Sequence, residues 1–368
     1  MSGVTPAIDF SFQFGPVGPT GMPDHELYGE AIADAKLGHS LGYSTGWMIE
    51  HHFSDYYPTP NPLLFLSHVA AICPGLGLGT SVMVLPWYNP IRFAEDLAML
   101  QTLAGNSELH IGIGRGTAKA EYTAFQIEME TARDRFAEYY KLVQTALEGG
   151  SFTYDGKIVK VVDPIKLRPV LARKKPNFYG AIGSVDSAEV MAELGLPPMA
   201  IAQFPDPMLQ GIVEKWTAKS NACGLPTDRR RPIFAQCWIA DTDAEARALA
   251  KEYLPNFFQI QVKHYQSDED PYRWISGYEQ WSKMFANLKR LCNPDNLDGY
   301  LDMNLIGTAE TVERRIRQLA SFGFNDVIVT NAIAGVRREL RHEMLERFAK
   351  QVIPRFERRK APLSASAA

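Results

Sequence analysis

Apolar runs of strand length alternate along this chain with longer stretches in which apolar residues return at helical spacing. The strand-like runs fall at residues 8–14, 45–52, 76–85, 109–114, 177–182, 199–203, 233–240 and 326–330. Helical stretches lie at 24–41, 61–72, 90–103 and 132–147, with another starting near Ser184 and a closing one over 336–353. Pro90 opens the third of these, at a first turn where no amide partner is lost. Strands alternating with helices predict repeated βα units around a parallel sheet. Eight such strands predict a (β/α)8 TIM barrel with insertions; a doubly wound open sheet is the alternative. The polar stretch 149–175 receives no element.

The chain has 368 residues. A plain barrel needs about 250, and insertions carry many well beyond that. Residues 1–356 therefore read as one barrel domain and 357–368 as an Ala/Ser-rich tail. The segment 254–305 is too long for a simple connection, and the region holds Tyr253, Phe257, Phe258, Tyr265, Tyr272, Trp274, Tyr278, Trp281 and Phe285. Two readings stay open there, a lid over a binding site or a helical insertion packing its own small core.

Hydrophobic residues make up 46% of the chain and charged residues 22%, with a net charge of −4. The longest block of like charge is Arg229-Arg230-Arg231, read as a solvated turn before the seventh strand. This balance excludes nucleic acid and anionic membrane as partners drawn by bulk electrostatics. Cys73, Cys223, Cys237 and Cys292 are far apart and form no CxxC pair, so neither a disulfide framework nor a zinc site is expected. No apolar run reaches the ~18 residues of a membrane span, and residues 1–19 lack a secretory pattern. The expectation is a cytoplasmic protein.

In a barrel, chemistry sits where the strands end at their C-terminal side. The second strand ends in Glu50-His51-His52-Phe53. Alternation puts Trp47, Ile49 and His51 on one face and Met48, Glu50 and His52 on the other, so one histidine faces the barrel mouth. That histidine can serve as acid or base near neutral pH, touch a bound cofactor, or make a structural hydrogen bond. Parity separates the two histidines, so they do not share one metal ion.

The fourth strand ends in Gly112-Ile113-Gly114-Arg115-Gly116. Glycines let a ligand approach the backbone, and the planar fork of Arg115 suits phosphate, although a surface ion pair would use it equally well. As a dinucleotide fingerprint the run is weak, because the third glycine is misplaced. The fifth strand runs into Gly183-Ser184-Val185-Asp186-Ser187. Ser184 reads as an N-cap, and helix starts expose amides that bind phosphate; an ordinary capped helix is the alternative. The third strand carries Gly79-Thr80-Ser81-Val82, whose small residues predict something flat against them, or simple packing where the barrel tapers.

Taken in order, Glu50-His51-His52-Phe53, Leu78-Gly79-Thr80, Val84-Leu85-Pro86, Asn89-Pro90 and Ala94-Glu95-Asp96 resemble the bacterial luciferase family of flavin-dependent monooxygenases. Gly112 to Gly116, Glu121-Tyr122, Gly195-Leu196-Pro197 and Ile306-Gly307-Thr308 extend the resemblance over nearly the whole chain. It implies that FMN, in its reduced form FMNH2, is delivered by a separate NAD(P)H:flavin reductase and reacts with O2. A flavin C4a-peroxide would then oxygenate a small apolar organic substrate. His51 would assist proton transfer at the flavin. Arg115, Gly183, Ser184 and Ser187 would hold the FMN phosphate, and Ser81-Val82 would form a non-proline cis peptide beneath the ring. Residues 276–300 would form a mobile lid, and helices after strands two and three would build a homodimer. The sequence departs from the luciferase α-chain at Gly114, where a cysteine stands, and over Ala200-Ile201-Ala202-Gln203-Phe204, which lacks a tryptophan. A long-chain aldehyde substrate and light emission are therefore not expected. A deazaflavin-dependent hydride transferase and a catalytically silent flavin-binding protein are the alternatives.

Overall fold

A computed structural model describes residues 7–266, 275 and 278–357. Eleven strands form among them: β1 (Asp9–Gln13), β2 (Thr45–Met48), β3 (Gly77–Val84), β4 (Leu109–Gly114), β5 (Phe152–Asp155), β6 (Lys160–Ile165), β7 (Asn177–Ala181), β8 (Pro198–Ile201), β9 (Pro232–Ile239), β10 (Leu305–Gly307) and β11 (Asp326–Thr330). The helices are α1 (Asp24–Ser40), α2 (Pro62–Ile72), α3 (Pro90–Leu103), α4 (Lys119–Ala124), α5 (Ala132–Ala146), α6 (Ser187–Glu193), α7 (Asp206–Ala222), α8 (Asp243–His264), α9 (Glu279–Leu291), α10 (Asp298–Met303), α11 (Ala309–Ser321) and α12 (Arg338–Arg347).

All eight strands expected from the apolar pattern become staves of one closed parallel barrel, in the order β11-β1-β2-β3-β4-β7-β8-β9. Pairing of Ala200 with Ile233 and Ile201 with Phe234 brings β8 onto β9, and β9 in turn pairs with β11. The open-sheet alternative is thereby overturned. β10 adds a short strand outside the barrel, beside Cys237–Ile239 of β9.

The barrel interior is filled in layers from its N-terminal end. At the base the Arg230 guanidinium donates to Asp326, Ser11, Ser44 and Thr45 at 2.8 to 3.2 Å, and it lies 3.3 Å from His110. The expectation of a solvated arginine turn therefore fails for Arg230, whose side chain is only 14% exposed. Asp326 is completely buried, and an unpaired carboxylate there would be too costly to keep. Above this polar plug lies an apolar layer of Trp47, Tyr179, Met199 and Ile328. Trp47 also explains Gly79 of β3, since a Cβ there would sit 2.4 Å from its indole ring. At Gly79 the flat object against that strand is the protein's own tryptophan, whereas Ser81 and Val82 line the cavity described below.

Three further differences follow from tertiary contacts. The unassigned stretch 149–175 contains the antiparallel hairpin β5-β6, anchored where Glu138 of α5 accepts the amides of Lys157, Ile158 and Val159. The fifth barrel helix begins at Ser187, not near Ser184; the Ser184 hydroxyl accepts the Ser187 amide at 3.3 Å one turn earlier. The aromatic segment begins as the continuation of α8. Its Phe257, Phe258, Tyr278, Phe285 and Tyr300 join Trp238 and Leu254 in a second apolar core. Tyr272 and Trp274 lie outside the described residues, as do 276–277 of the expected lid and 358–368 of the expected tail.

Replacing Arg230 with Ala leaves Asp326 buried and unpaired, a change worth about 3 kcal/mol or more. Urea unfolding should show that loss without a change in the slope, and Arg230→Lys should recover part of it.

Candidate functional site

A cavity of about 540 Å³ opens above the apolar layer, at the C-terminal rim of the barrel. The structure brings His51, Ser81, Val82, Arg115, Gly183, Ser184 and Ser187 into its wall together. Ser81 and Val82 lie in the C-terminal half of β3, and the others stand beyond the ends of β2, β4 or β7, so the barrel's geometry sets the convergence.

After Met48 the chain leaves the β2 ladder, and His51 is held by a single bridge to Thr59. Alternation nevertheless persists, with His51 turned inward and His52 turned away. Glu50 is 2% exposed and accepts from the Val84 amide at 2.8 Å and the Tyr88 hydroxyl at 2.6 Å, and it lies 3.1 Å from His52 Nε2. Those contacts tie the end of β2 to the end of β3, where the Ser81-Val82 peptide is cis. Burial pushes the Glu50 carboxyl above its ordinary range, against the pull of these donors.

Glu121, on the short helix α4, holds the inward histidine. Its Oε1 accepts the His52 amide at 2.6 Å and lies 3.3 Å from His51 Nδ1. His264, the last residue of α8, packs edge-on to the His51 ring, 4.5 Å between centroids, with its Nε2 3.8 Å from the same oxygen. Burial pushes both imidazoles down to about 3, so both are neutral at physiological pH. Burial likewise raises the Glu121 carboxyl. With its Nδ1 facing the carboxylate, neutral His51 carries its proton there and presents Nε2 as an acceptor. Tyr265 Oη lies 3.4 Å from that nitrogen on the cavity side. The donor atoms of His51, Glu121 and His264 come within 4.8 Å of one another. Glu121 Oε1 already serves two N–H groups, so the carboxylate is hydrogen-bonded to the His51–His52 segment, with His264 packed beside it beyond hydrogen-bond distance.

Arg115 marks the other end of the cavity. The Tyr278 ring lies 4.9 Å from its guanidinium carbon, and the Tyr122 hydroxyl donates to its carbonyl. Arg133, at the start of α5, lines the cavity as well. Ser184 and Ser187 join hydroxyls at 2.8 Å in the turn before α6. Trp281 of α9 presses on Gly183 so closely that a Cβ there would stand 2.7 Å from its ring. Tyr265, Trp281, Phe285 and Leu288 give the cavity an apolar roof, so the aromatic segment both packs its own core and covers the site.

Sequence reasoning missed Glu121, His264, Tyr265 and Arg133. Glu121 was visible as a buried-type carboxylate inside a motif but carried no role. Nothing in the spacing of His264, more than two hundred residues from His51, indicated their contact.

The two neutral imidazoles make acid sensitivity a property of the site. Burial lowers their folded-state pKa from 6.5 to about 3. Their contribution is therefore complete above pH 6.5 and is lost as pH falls toward 3. Each costs ~2 kcal/mol at pH 5 relative to pH 8 by linkage. The raised carboxyls of Glu50 and Glu121 act in the opposite direction, so the comparison is made between variants. His264→Gln should unfold at higher urea than the parent at pH 5 and at equal or lower urea at pH 8. An unchanged difference between the two pH values would rule out the neutral assignment.

Comparison with known proteins bears on the family and the fold. The family model for luciferase-like monooxygenases matches residues 10–326. The uncharacterized protein y4vJ of Sinorhizobium fredii is 33% identical over 219 residues, spanning 58% of this chain and 62% of that protein. The oxygenase component of the flavin-dependent trigonelline monooxygenase of Acinetobacter baylyi is 25% identical, spanning 92% of this chain and 94% of its own. Among solved structures, monooxygenase RslO1 of Streptomyces bottropensis superposes with a TM-score of 0.80 at 22% identity, covering 95% of this chain and all of that one. The oxygenating constituent of 3,6-diketocamphane monooxygenase from Pseudomonas putida, in complex with FMN, gives 0.75 at 18% identity, with 96% and 100% covered. An F420-dependent secondary alcohol dehydrogenase gives 0.71 at 13% identity, with 94% and 98% covered. With the family match running from β1 to β11, this chain belongs to the luciferase-like monooxygenases.

Proposed function

We propose that the chain is the oxygenating component of a two-component monooxygenase, taking reduced FMN from a separate reductase and oxygenating a small apolar substrate with O2. The observation that carries this reading is the convergence of His51, Arg115 and the turn at Ser184 on one cavity of about 540 Å³. That volume lies within the range that encloses cofactor-sized ligands. The residues also fit such a ligand chemically. Ser81 Oγ faces the cavity buried and without a hydrogen-bond partner among the described residues, leaving it available to a polar ring edge. Gly114 leaves open the space beside Val82 that a side chain would fill.

Arg115 and Arg133 would offset the charge of a phosphate at one end, with the hydroxyls of Ser184 and Ser187 donating to its oxygens. The ring system would then extend over Val82 toward His51. Bound reduced flavin supplies the electrons that activate O2. The apolar roof of Tyr265, Trp281, Phe285 and Leu288 excludes water from that end, which protects reactive species and strengthens polar interactions inside. His51 Nε2 takes up or returns a proton at the reacting end, while Glu121 keeps the tautomer that leaves Nε2 free to do so. The same roof favours a flat or cyclic apolar substrate. The trigonelline monooxygenase relative is an oxygenase component, which supports delivery of flavin by a separate reductase.

Anaerobic titration with reduced FMN should show saturable binding that Arg115→Ala weakens about ten- to hundredfold, the worth of one charge-assisted contact. His51→Ala should lower turnover by about 10²-fold or more while leaving flavin binding nearly intact. Product formed under 18O2 should carry one labelled oxygen. Turnover without O2 would instead favour deazaflavin hydride transfer, and tight flavin binding without turnover a silent binding protein.

A homodimer is part of the same proposal. Leu64 of α2 and Met99 and Leu103 of α3 are 70%, 50% and 61% exposed, an apolar face on adjacent helices. Sedimentation should give twice the 41.1 kDa chain mass, and Leu64→Glu combined with Leu103→Glu should halve it. A monomeric parent chain would end this part of the proposal.

A further inference from the structure

Behind His51 lies a second cavity of about 440 Å³, and Glu121 lines both it and the first. On the far side of Glu121 this outer cavity is bordered by Ser54, Asp55, Lys263 and His264. We propose that Glu121, His264 and Ser54 form a proton path linking His51 to this outer cavity, so that the proton handled above the barrel leaves without crossing the apolar roof. The proposal rests on His51 exchanging a proton, as in the function proposed above.

The geometry supplies each link. His51 Nδ1 stands 3.3 Å from Glu121 Oε1, that oxygen stands 3.8 Å from His264 Nε2, and His264 Nδ1 stands 2.7 Å from Ser54 Oγ. Exposure rises along the same line: His51 and His264 are buried, Ser54 is half-buried and Asp55 is exposed. Within the path two buried atoms lack hydrogen-bond partners among the described residues, and both lie at the middle link: Glu121 Oε2 and His264 Nε2. A residue present only for packing would not normally bury such atoms unsatisfied. The 3.8 Å gap exceeds a hydrogen bond. The path therefore requires the Glu121 carboxylate to turn toward His264, a movement in which Oε2 has no hydrogen bond to lose.

The other groups facing His264 are Tyr56 and Tyr265, at ring centroid distances of 5.0 and 4.6 Å, with His52 beyond Glu121 and Lys263 and Asp55 on the outer cavity. Burial raises the Tyr56 hydroxyl, so that residue stays neutral and does not drain the path. Transfer conserves protons at every step. One proton arrives at His51 Nε2, the Nδ1 proton passes to Glu121 and on to His264 Nε2, and the Nδ1 proton of His264 passes through Ser54 Oγ to solvent. No electrons move; the path carries one proton out when His51 takes one up and one proton in when His51 Nε2 gives one back, and on that return each imidazole regains its starting tautomer. Glu121 and His264 are positioning residues here, since neither touches the reacting atoms.

The test uses the whole chain without flavin, labelled with 15N-histidine. The exchange rate of the His51 Nδ1 proton with water is read by NMR in the parent, His264→Phe and Ser54→Ala. The path predicts exchange at least about tenfold slower in His264→Phe, and slower in Ser54→Ala as well. Unchanged exchange in folded His264→Phe overturns it. Should His264→Phe not fold, unchanged exchange in both Ser54→Ala and His264→Gln overturns it equally. In the flavin-loaded enzyme, His264→Phe should lower kcat but not KM, most strongly in dilute buffer, and concentrated small buffers should restore it. Slowed exchange in a protein that fails to bind reduced FMN would leave the path standing and remove the proposed function. Normal flavin turnover with unchanged exchange would do the reverse.

Discussion

Closure of the sheet is the constraint on which the remainder of the molecule depends. Once β8 pairs with β9, every stave has another stave on either side, and the barrel itself is left with no open edge. A closed parallel barrel also delivers all its strand ends to one rim. His51, Arg115 and Ser184 are spread over more than a hundred residues of chain, yet each lies just past such an end, and Ser81 lies in the C-terminal half of β3. The base layers keep the barrel from being hollow. A guanidinium bound by buried Asp326 fills the bottom, and Trp47, lying over Gly79, forms the floor on which the cavity rests.

Two buried carboxylates then fix which way adjacent histidines point. Glu50 is satisfied by Val84, Tyr88 and His52, and it keeps the outer histidine out of the cavity. Glu121 takes the His52 amide and the inner histidine's Nδ1. A carboxylate buried this deeply is retained only when donors surround it, so removing any donor destabilises the whole corner. Strand parity alone would orient His51 loosely beyond Met48, where the ladder has ended. The hydrogen bonds supply the precision that the proposed proton transfer would require.

The aromatic segment does two things with one set of side chains. Phe285 belongs to the second apolar core and at the same time lines the cavity, stacked 4.5 Å from Tyr265. Stability of the roof and access to the site are therefore coupled. A substrate large enough to move Phe285 disturbs the packing of α9 against α8, and this coupling limits the size of what the cavity admits.

The chain's own pattern determined the eight staves, their order and the end at which chemistry would lie. Strand periodicity is local, and the rule placing sites at C-terminal ends needs no distances. His51, Arg115, Ser184 and Ser187 were legible because they sit immediately after apolar runs. Only the tertiary structure decided what those residues meet. Arg230 reads as a surface charge until Asp326, almost a hundred residues later, closes over it. The hairpin over β5 and β6 depends on Glu138, and Gly79 of β3 on a tryptophan from the neighbouring strand. His264 becomes part of the site only because α8 ends beside α4 and the segment after β2. Contacts of that kind are fixed by how helices pack around a closed barrel, and no spacing along the chain encodes them.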